Sequence, residues 1–467
     1  MSRSAVSKVA LAVVLLLFGA CAQESDDSPL VVGGSGPEGP LDTDDAENQP
    51  ETPDNLRDLV DGSIDDVESF WTEAYPQVYG SEFEPVEGYF GYGPDTETPP
   101  CGNPRPSYEE IADNAFYCPE SDIIAADEVR LIPFLAENFH PFTVGIVFAH
   151  EYGHAIQARA GAFSDRSVVT EMQADCFAGA WTAWVADGNS SNFGVQEDQL
   201  DFSVAGMISI SDVPGTSPDD FAAHGSGFDR IGSFQDGFDK GAERCAEYDT
   251  DPNLPVVEIE FTVDDAQTGG NLPSSELVPL LEDNLDLFYE TLFSEKLDGD
   301  WESIERVAVV DPDSDDIECG GQTLSGSDLE YASYFCADEN IVVIDGTNLV
   351  PLLEEIGDFA VAAEVARLYA VDAQLQLGIE DRNKTSSLQA DCLTGVWASA
   401  SFPDENGDTQ LGEAGGLTLS AGDLDEGIQG FITYGGDRTD ETGTVFERVQ
   451  ALRAGFLDGV GSCDLGN

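Results

Sequence analysis

Eight of the nine cysteines fall into two sets of four whose spacings repeat, and nothing else in the chain narrows its fold as much. Cys101 to Cys118 covers 17 positions, and so does Cys319 to Cys336. Cys118 to Cys176 is 58 positions against 56 for Cys336 to Cys392, and Cys176 to Cys245 is 69 against 71 for Cys392 to Cys463. Flanking residues keep step at an offset of about 218, the difference between 319 and 101. Leu59-Val60 and Phe70-Trp71 match Leu277-Val278 and Phe288-Tyr289. Gln173-Ala174-Asp175-Cys176 with Gly179 and Trp181 matches Gln389-Ala390-Asp391-Cys392 with Gly395 and Trp397. Arg230, Gly237-Phe238 and Gly241 match Arg448, Gly455-Phe456 and Gly459. This reads as a tandem duplication with copies at 54–248 and 273–467, each long enough to bury its own core. Residues 249–272 read as a linker, in which 256–263 (VVEIEFTV) alternates in strand fashion and is free to pair at an edge of either copy.

With Cys21 set aside eight cysteines remain, and an even count in an exported chain favours disulfides. Two like copies that fold alone leave three pairings each. The favoured set is Cys101 with Cys118 and Cys176 with Cys245, and likewise Cys319 with Cys336 and Cys392 with Cys463; the alternative keeps the Cys176 thiol as a packed core group. Export itself is read at the N-terminus. Arg3 and Lys8 precede an apolar run over 9–18, then Gly19-Ala20-Cys21, so that 1–20 reads as a lipoprotein-type signal peptide and Cys21 as a lipidated first residue; an ordinary signal cut nearby is the other reading. Residues 21–53, rich in Gly, Pro, Ser and acids, read as a disordered tether. No other stretch approaches the ~20 apolar residues of a membrane span. The expectation is a protein on the outer face of the cell membrane, touching the membrane through its lipid alone.

The charge excludes one class of partner. With 92 Asp and Glu against 18 Lys and Arg, a net −74 repels nucleic acid and anionic headgroups. Self-repulsion on that scale is relieved by salt, so the surface suits a saline, halophilic medium.

Only four histidines are present, and two of them fall in His150-Glu151-Tyr152-Gly153-His154. Pro141 fits the first turn of a helix and Gly161 its stop, which puts both imidazoles on one face. A second helix from near Ser167 to Gly188 carries Glu171 and Asp175 four apart, and a third is expected over 228–244. Short strands are expected at 123–127 and 341–345. His150, His154 and Glu171 are candidate ligands for Zn²⁺, leaving a coordination position for water, with Glu151 as the general base. Asp175 has two readings: it holds a ligand imidazole's second nitrogen, or it serves the scaffold, since Asp391 persists in the other copy. His224 is either a donor to the oxyanion of the reaction or a solvated loop residue. Tyr152, kept as Tyr369, reads as packing, and His140 as a surface residue. In the second copy Arg367, Leu368, Val371, Ser387 and Thr442 stand where the first has His150, Glu151, His154, Glu171 and His224. No metal is expected there.

The segments HEYGHAIQ, EMQADCFAGAW, the upstream NAFYCPESD and the downstream AHGSGFDR, in that order, resemble the bacterial neutral zinc metallopeptidase family. The resemblance covers about 54–248 and, more faintly, the second copy. It implies a zincin-like domain of α+β, mainly helical class, a gluzincin-type site with Zn²⁺ as cofactor, and hydrolysis of peptide bonds in a protein or peptide substrate. The degenerate duplicate and the acidic surface depart from the family pattern. The alternative is an inactive cell-surface lipoprotein that uses the duplicated fold for binding or scaffolding. Glu151 and a set of three ligands weigh against it, because structural zinc is normally closed by four. No feature of the sequence specifies an oligomeric state.

Overall fold

Apolar periodicity, glycine stops and short β-branched runs translate into two similar series of elements. The computed structural model describes residues 55–465 apart from 165, 196, 210, 218–222, 252, 258, 264, 298, 405 and 436–441. The expected signal peptide, Cys21 and the tether lie outside the described residues. The first half runs α1 (Leu56–Tyr79), β1 (Gly88–Tyr92), β2 (Ala115–Cys118), β3 (Ile123–Asp127), α2 (Leu131–Asn138), α3 (Pro141–Ala160), α4 (Ser167–Ala186), α5 (Glu197–Ser209) and α6 (Gly227–Cys245). The second half runs α7 (Ser274–Leu292), β4 (Arg306–Val310), β5 (Asp316–Cys319), β6 (Gln322–Ser325), β7 (Ser333–Cys336), β8 (Ile341–Asp345), α8 (Leu349–Glu354), α9 (Asp358–Gln376), α10 (Lys384–Ser401), α11 (Asp423–Gly435) and α12 (Val445–Asp458). Helices make up 55% of the chain, so the class is α+β and mainly helical. Among the described residues no helix is long and apolar enough to cross a membrane.

Each half has one three-stranded sheet with the same pairing. In the order β1-β3-β2, β1 runs parallel and β2 antiparallel to the central strand; in β4-β8-β7, β4 is parallel and β7 antiparallel to β8. The second half adds the hairpin β5-β6, whose first strand ends at Cys319. Both central strands finish on an aspartate that accepts backbone N–H groups from the following turn: Asp127 from Val129 and Arg130, Asp345 from Thr347 and Asn348. A short carboxylate side chain can satisfy donors that have no ladder partner, which turns the chain from strand to helix.

Glycine lets the long helices touch backbone to backbone. A Cβ on Gly179 of α4 would overlap the Phe234 carbonyl of α6, and one on Gly237 would overlap the Cys176 carbonyl. Gly395 and Gly455 stand in the same relation to Leu452 and Cys392 in α10 and α12. The disulfide Cys176–Cys245 fastens the first of these helix pairs and Cys392–Cys463 ties α10 to the turn just after α12, while Cys101–Cys118 and Cys319–Cys336 tie β2 and β7 to the chain just before them. The favoured pairing holds, and Cys176 is not a free core thiol. Above the glycines Phe142 stacks on Trp181 at 5.2 Å and Phe359 on Trp397 at 5.7 Å.

Three expectations change. First, 256–263 forms no strand among its described residues; the Val257 N–H donates to the Asp229 carboxylate at 3.0 Å instead of to a sheet edge. Second, His140 is no idle surface residue. It caps α3, its Nδ1 accepting from the Phe142 N–H at 3.1 Å, and its ring stacks on Phe202. Third, the halves do not keep separate cores: one contiguous apolar cluster extends from Leu59 to Cys463 through both.

That shared interior also encloses acids. Asp358, Asp423 and Glu426 are all buried, with carboxylate oxygens within 4.8 Å of one another. They accept from the Leu272, Ser420 and Phe359 N–H groups respectively. Burial, reinforced by their mutual repulsion, raises the pKa of Asp423 and Glu426, and burial raises that of Asp358. A carboxyl whose folded pKa lies above its unfolded value, about 4, binds protons more tightly in the folded state. Its stabilising contribution is therefore full below pH 4 and is lost as the pH rises through the folded pKa. At constant ionic strength the melting temperature is expected to fall as pH rises from about 5 through the neutral range. Because the net charge acts in the same direction, the check is Glu426→Gln: calorimetry at several pH values should show a shallower slope than the unsubstituted protein.

Candidate metal centre

α3 presents His150, Glu151 and His154, and α4 presents Glu171 and Asp175. The helices come close because Gly153 lies against Ala174: a Cβ there would sit 2.8 Å from the Ala174 Cα. That approach lets a carboxylate on one helix meet imidazoles on the other. His150 Nε2 and His154 Nε2 are 3.2 Å apart, and Glu171 Oε2 and Oε1 lie 3.3 and 3.5 Å from them. The three side chains are each only slightly open to solvent, between 12% and 18%. They form the three-donor group expected from the sequence.

Partners on the far side of each ring fix where the protons are. Gln157 donates through Nε2 to the Thr170 carbonyl and to Gln173 Oε1, so its own Oε1 must face His154 Nδ1, at 2.9 Å. His154 therefore carries its proton on Nδ1. His150 Nδ1 lies 2.7 Å from Asp175 Oδ1, an acceptor, and carries a proton for the same reason. Both Nε2 atoms then turn lone pairs toward each other and toward an anionic carboxylate. Three acceptors with no hydrogen between them repel unless a cation lies among them or a ring takes up a second proton. Two imidazole nitrogens and one carboxylate oxygen, each ring braced from behind, are a donor set that suits zinc. Without a metal the cluster meets the same demand with a proton. Burial opposes charge on His150, but Asp175 and Glu171 hold its pKa up at about 10, and Glu171 raises His154 against the same burial. Burial also opposes ionisation of Glu171, yet both imidazoles keep it well below the usual carboxylate range.

Asp175 does both of the things the sequence left open. It braces His150, and it accepts from Arg230 of α6 through Nε at 2.8 Å and Nη2 at 3.0 Å. Glu151 is buried beside the pair, its Oε2 taking the Tyr117 N–H from β2 at 2.9 Å; burial raises its pKa, and the two imidazoles pull against that rise. His224 lies further out. Its N–H and that of Gly225 donate to Asp212 Oδ2, and its Nδ1 is 3.3 Å from Asp212 Oδ1. The bond to Asp212 raises its pKa, burial opposes this, and the charge of Glu171 adds to the rise. Tyr152 is buried and donates to Glu68, which agrees with a packing role.

The corresponding place in the second half holds a guanidinium. Arg367 on α9 donates through Nε to Asp391 Oδ1 at 2.9 Å and through Nη2 to Ser387 Oγ at 2.6 Å. Arg448 clamps Asp391 through Nε and Nη2 at 2.9 and 3.1 Å, as Arg230 clamps Asp175. Among the described residues no His, Cys or carboxylate cluster forms around Arg367.

Sequence reasoning missed Gln157, Arg230 and Tyr117 as parts of this centre. Gln157 and Arg230 have counterparts in Gln374 and Arg448 and so looked like scaffold, while Tyr117 contributes only its backbone.

A family model described as "Putative neutral zinc metallopeptidase" matches residues 2–248. Among curated proteins, uncharacterized proteins of Mycobacterium bovis and Mycobacterium tuberculosis are each 29% identical over 143 residues, 28% of this chain and 44% of theirs. The chain thus spans less than half the length of these relatives. No solved structure matches.

Replacing Gln157 with Leu removes the acceptor behind His154 while leaving all three donors in place. Competition with a chromophoric chelator is expected to show zinc affinity reduced by about 10- to 100-fold, the usual effect of losing such a support.

Proposed function

Since the chain belongs to the putative neutral zinc metallopeptidase family, we propose that residues 54–248 form a zinc-dependent peptidase and that 273–467 are a degenerate tandem copy of the same domain. The observation that carries the first statement is the convergence of His150 Nε2, His154 Nε2 and a Glu171 oxygen within 4.8 Å of one another. Support for the second comes from the repeated cysteines, the like pairing of the two sheets, the matched glycine contacts and the Arg230–Asp175 and Arg448–Asp391 clamps.

Held by the three donors, zinc supplies acidification of a water molecule and polarisation of the scissile carbonyl. The remaining work belongs to side chains. Tyr117 N–H engages Glu151 Oε2, leaving Oε1 to take a proton from the attacking water and deliver it to the departing amine. Burial of Glu151 raises its pKa, which suits a group that must accept a proton and then give it up. Asp175 and Gln157 keep the imidazoles in their ligating tautomers. His224 is assigned as donor to the developing oxyanion, a role supported by its replacement with Thr442 in the metal-free copy. Substrates are proteins or peptides. The signal-like N-terminus and Cys21, together with four disulfides, support export and lipid anchoring on the outer face of the cell membrane.

Glu151→Gln separates metal binding from turnover. Elemental analysis should find zinc retained at one per chain, while casein cleavage, assayed at high and low salt, should fall by about 10²- to 10⁴-fold. Unchanged cleavage would remove Glu151 from the mechanism, and a protein free of zinc would remove the mechanism itself.

A further inference from the structure

Contacts between the halves come in pairs that answer one another. On α5, Leu200-Asp201 followed by Val204, Gly206 and Ile208 matches Leu424-Asp425 followed by Ile428, Gly430 and Ile432 on α11. Asp425 takes the Gly227 and Phe228 N–H groups, at 2.7 Å each, at the start of α6; Asp201 takes the Phe446 N–H, at 2.8 Å, at the start of α12. Arg453 donates to the Phe228 carbonyl, and Gln235, its counterpart 218 positions earlier, donates to the Phe446 carbonyl. Phe228 meets Phe456 at 5.2 Å, and Phe446 meets Phe238 at 5.3 Å. Each half therefore caps the other's last long helix with the same side chain, which is the self-complementary geometry of a twofold dimer within one chain.

The two grips are unequal. At Phe228 the carbonyl is met by an arginine, Arg453, whose guanidinium also lies over the ring at 4.3 Å, where at Phe446 the carbonyl is met by the amide of Gln235. Gly232 makes room for this arginine, since a Cβ there would overlap its guanidinium; Gln450 stands at the corresponding place on α12. The arginine falls on the helix that serves the metal centre. Two residues after Phe228, Arg230 clamps Asp175, and Asp175 braces His150.

We propose that the metal-free half acts as a built-in partner subunit, in which Asp425 and Arg453 are positioning residues that hold the first turn of α6 and, through Arg230 and Asp175, the orientation of His150. This rests on His150 being a zinc ligand as read above. The full-length chain tests it through mirror-image substitutions. Asp425→Asn and Arg453→Gln, the latter installing the mirror residue, should each weaken zinc binding by about tenfold in chelator competition and lower kcat with KM little changed. Asp201→Asn removes the answering cap on α12. It should lower the melting temperature to a similar extent yet keep zinc affinity within about twofold of the unsubstituted protein. Should Asp425→Asn not fold, Arg453→Gln decides. Full zinc affinity in Asp425→Asn and Arg453→Gln, or equal weakening in Asp201→Asn, overturns the proposal while leaving the peptidase reading intact. A parent protein that binds no zinc sinks both.

Discussion

One buried carboxylate in each half, Asp175 or Asp391, organises what surrounds it. Both are nearly inaccessible to water and both are clamped side-on by an arginine from the last long helix. A charge so placed must be paired and fully hydrogen-bonded, because leaving it alone in the interior costs several kcal/mol. The arginine neutralises it. What remains is acceptor capacity on the side facing α3 or α9, and the halves use that capacity differently. In the first it orients an imidazole whose other nitrogen points at a second imidazole and a carboxylate. In the second it receives Arg367, which brings its own positive charge to the place where the first half's donors require a cation. Matching positions thus present a donor set that calls for a cation in one half and a cationic side chain in the other.

Much of this was legible in the sequence where the signal was local. Pro141 and Gly161 bound α3 as read, because a fixed φ suits a helix start and a left-handed glycine its end; Gly161 has φ 67°. Spacing marked the two matched cysteine sets while leaving three pairings in each, and it put Glu171 on a helix able to reach the histidines. Partners that depend on tertiary approach were not legible. Gln157 takes part because its amide is oriented by Thr170 and Gln173 on the neighbouring helix, and nothing in the HEYGHAIQ segment encodes that orientation. His140 lies outside the usual capping residues, so its role at the start of α3 carried no composition cue. Residues 256–263 alternate like a strand, yet Asp229 meets a backbone donor that a strand would otherwise have paired.

The answering contacts between the halves were hidden by a change of register. Most matched positions lie about 218 apart, but Leu200-Asp201 and Leu424-Asp425 lie 224 apart because the connection before α11 is longer than that before α5. A fixed-offset comparison passes over them. Only the geometry, in which two like aspartates each reach across to the other half's helix, brings them together. The continuous apolar core follows from the same arrangement, since faces meeting across a twofold bury one another.

On the duplication reading, Arg367 makes the loss of a second centre hard to undo. Its guanidinium satisfies the Ser387 hydroxyl and an Asp391 oxygen at once. Exchanging it alone for histidine would strand the hydroxyl and still place no second imidazole at Val371 and no carboxylate at Ser387. Several coordinated changes would be needed before any ion could repay them. On the duplication reading, the second half has settled into an evolutionary one-way state, in which giving up Arg367 loses its two hydrogen-bonded partners without restoring chemistry.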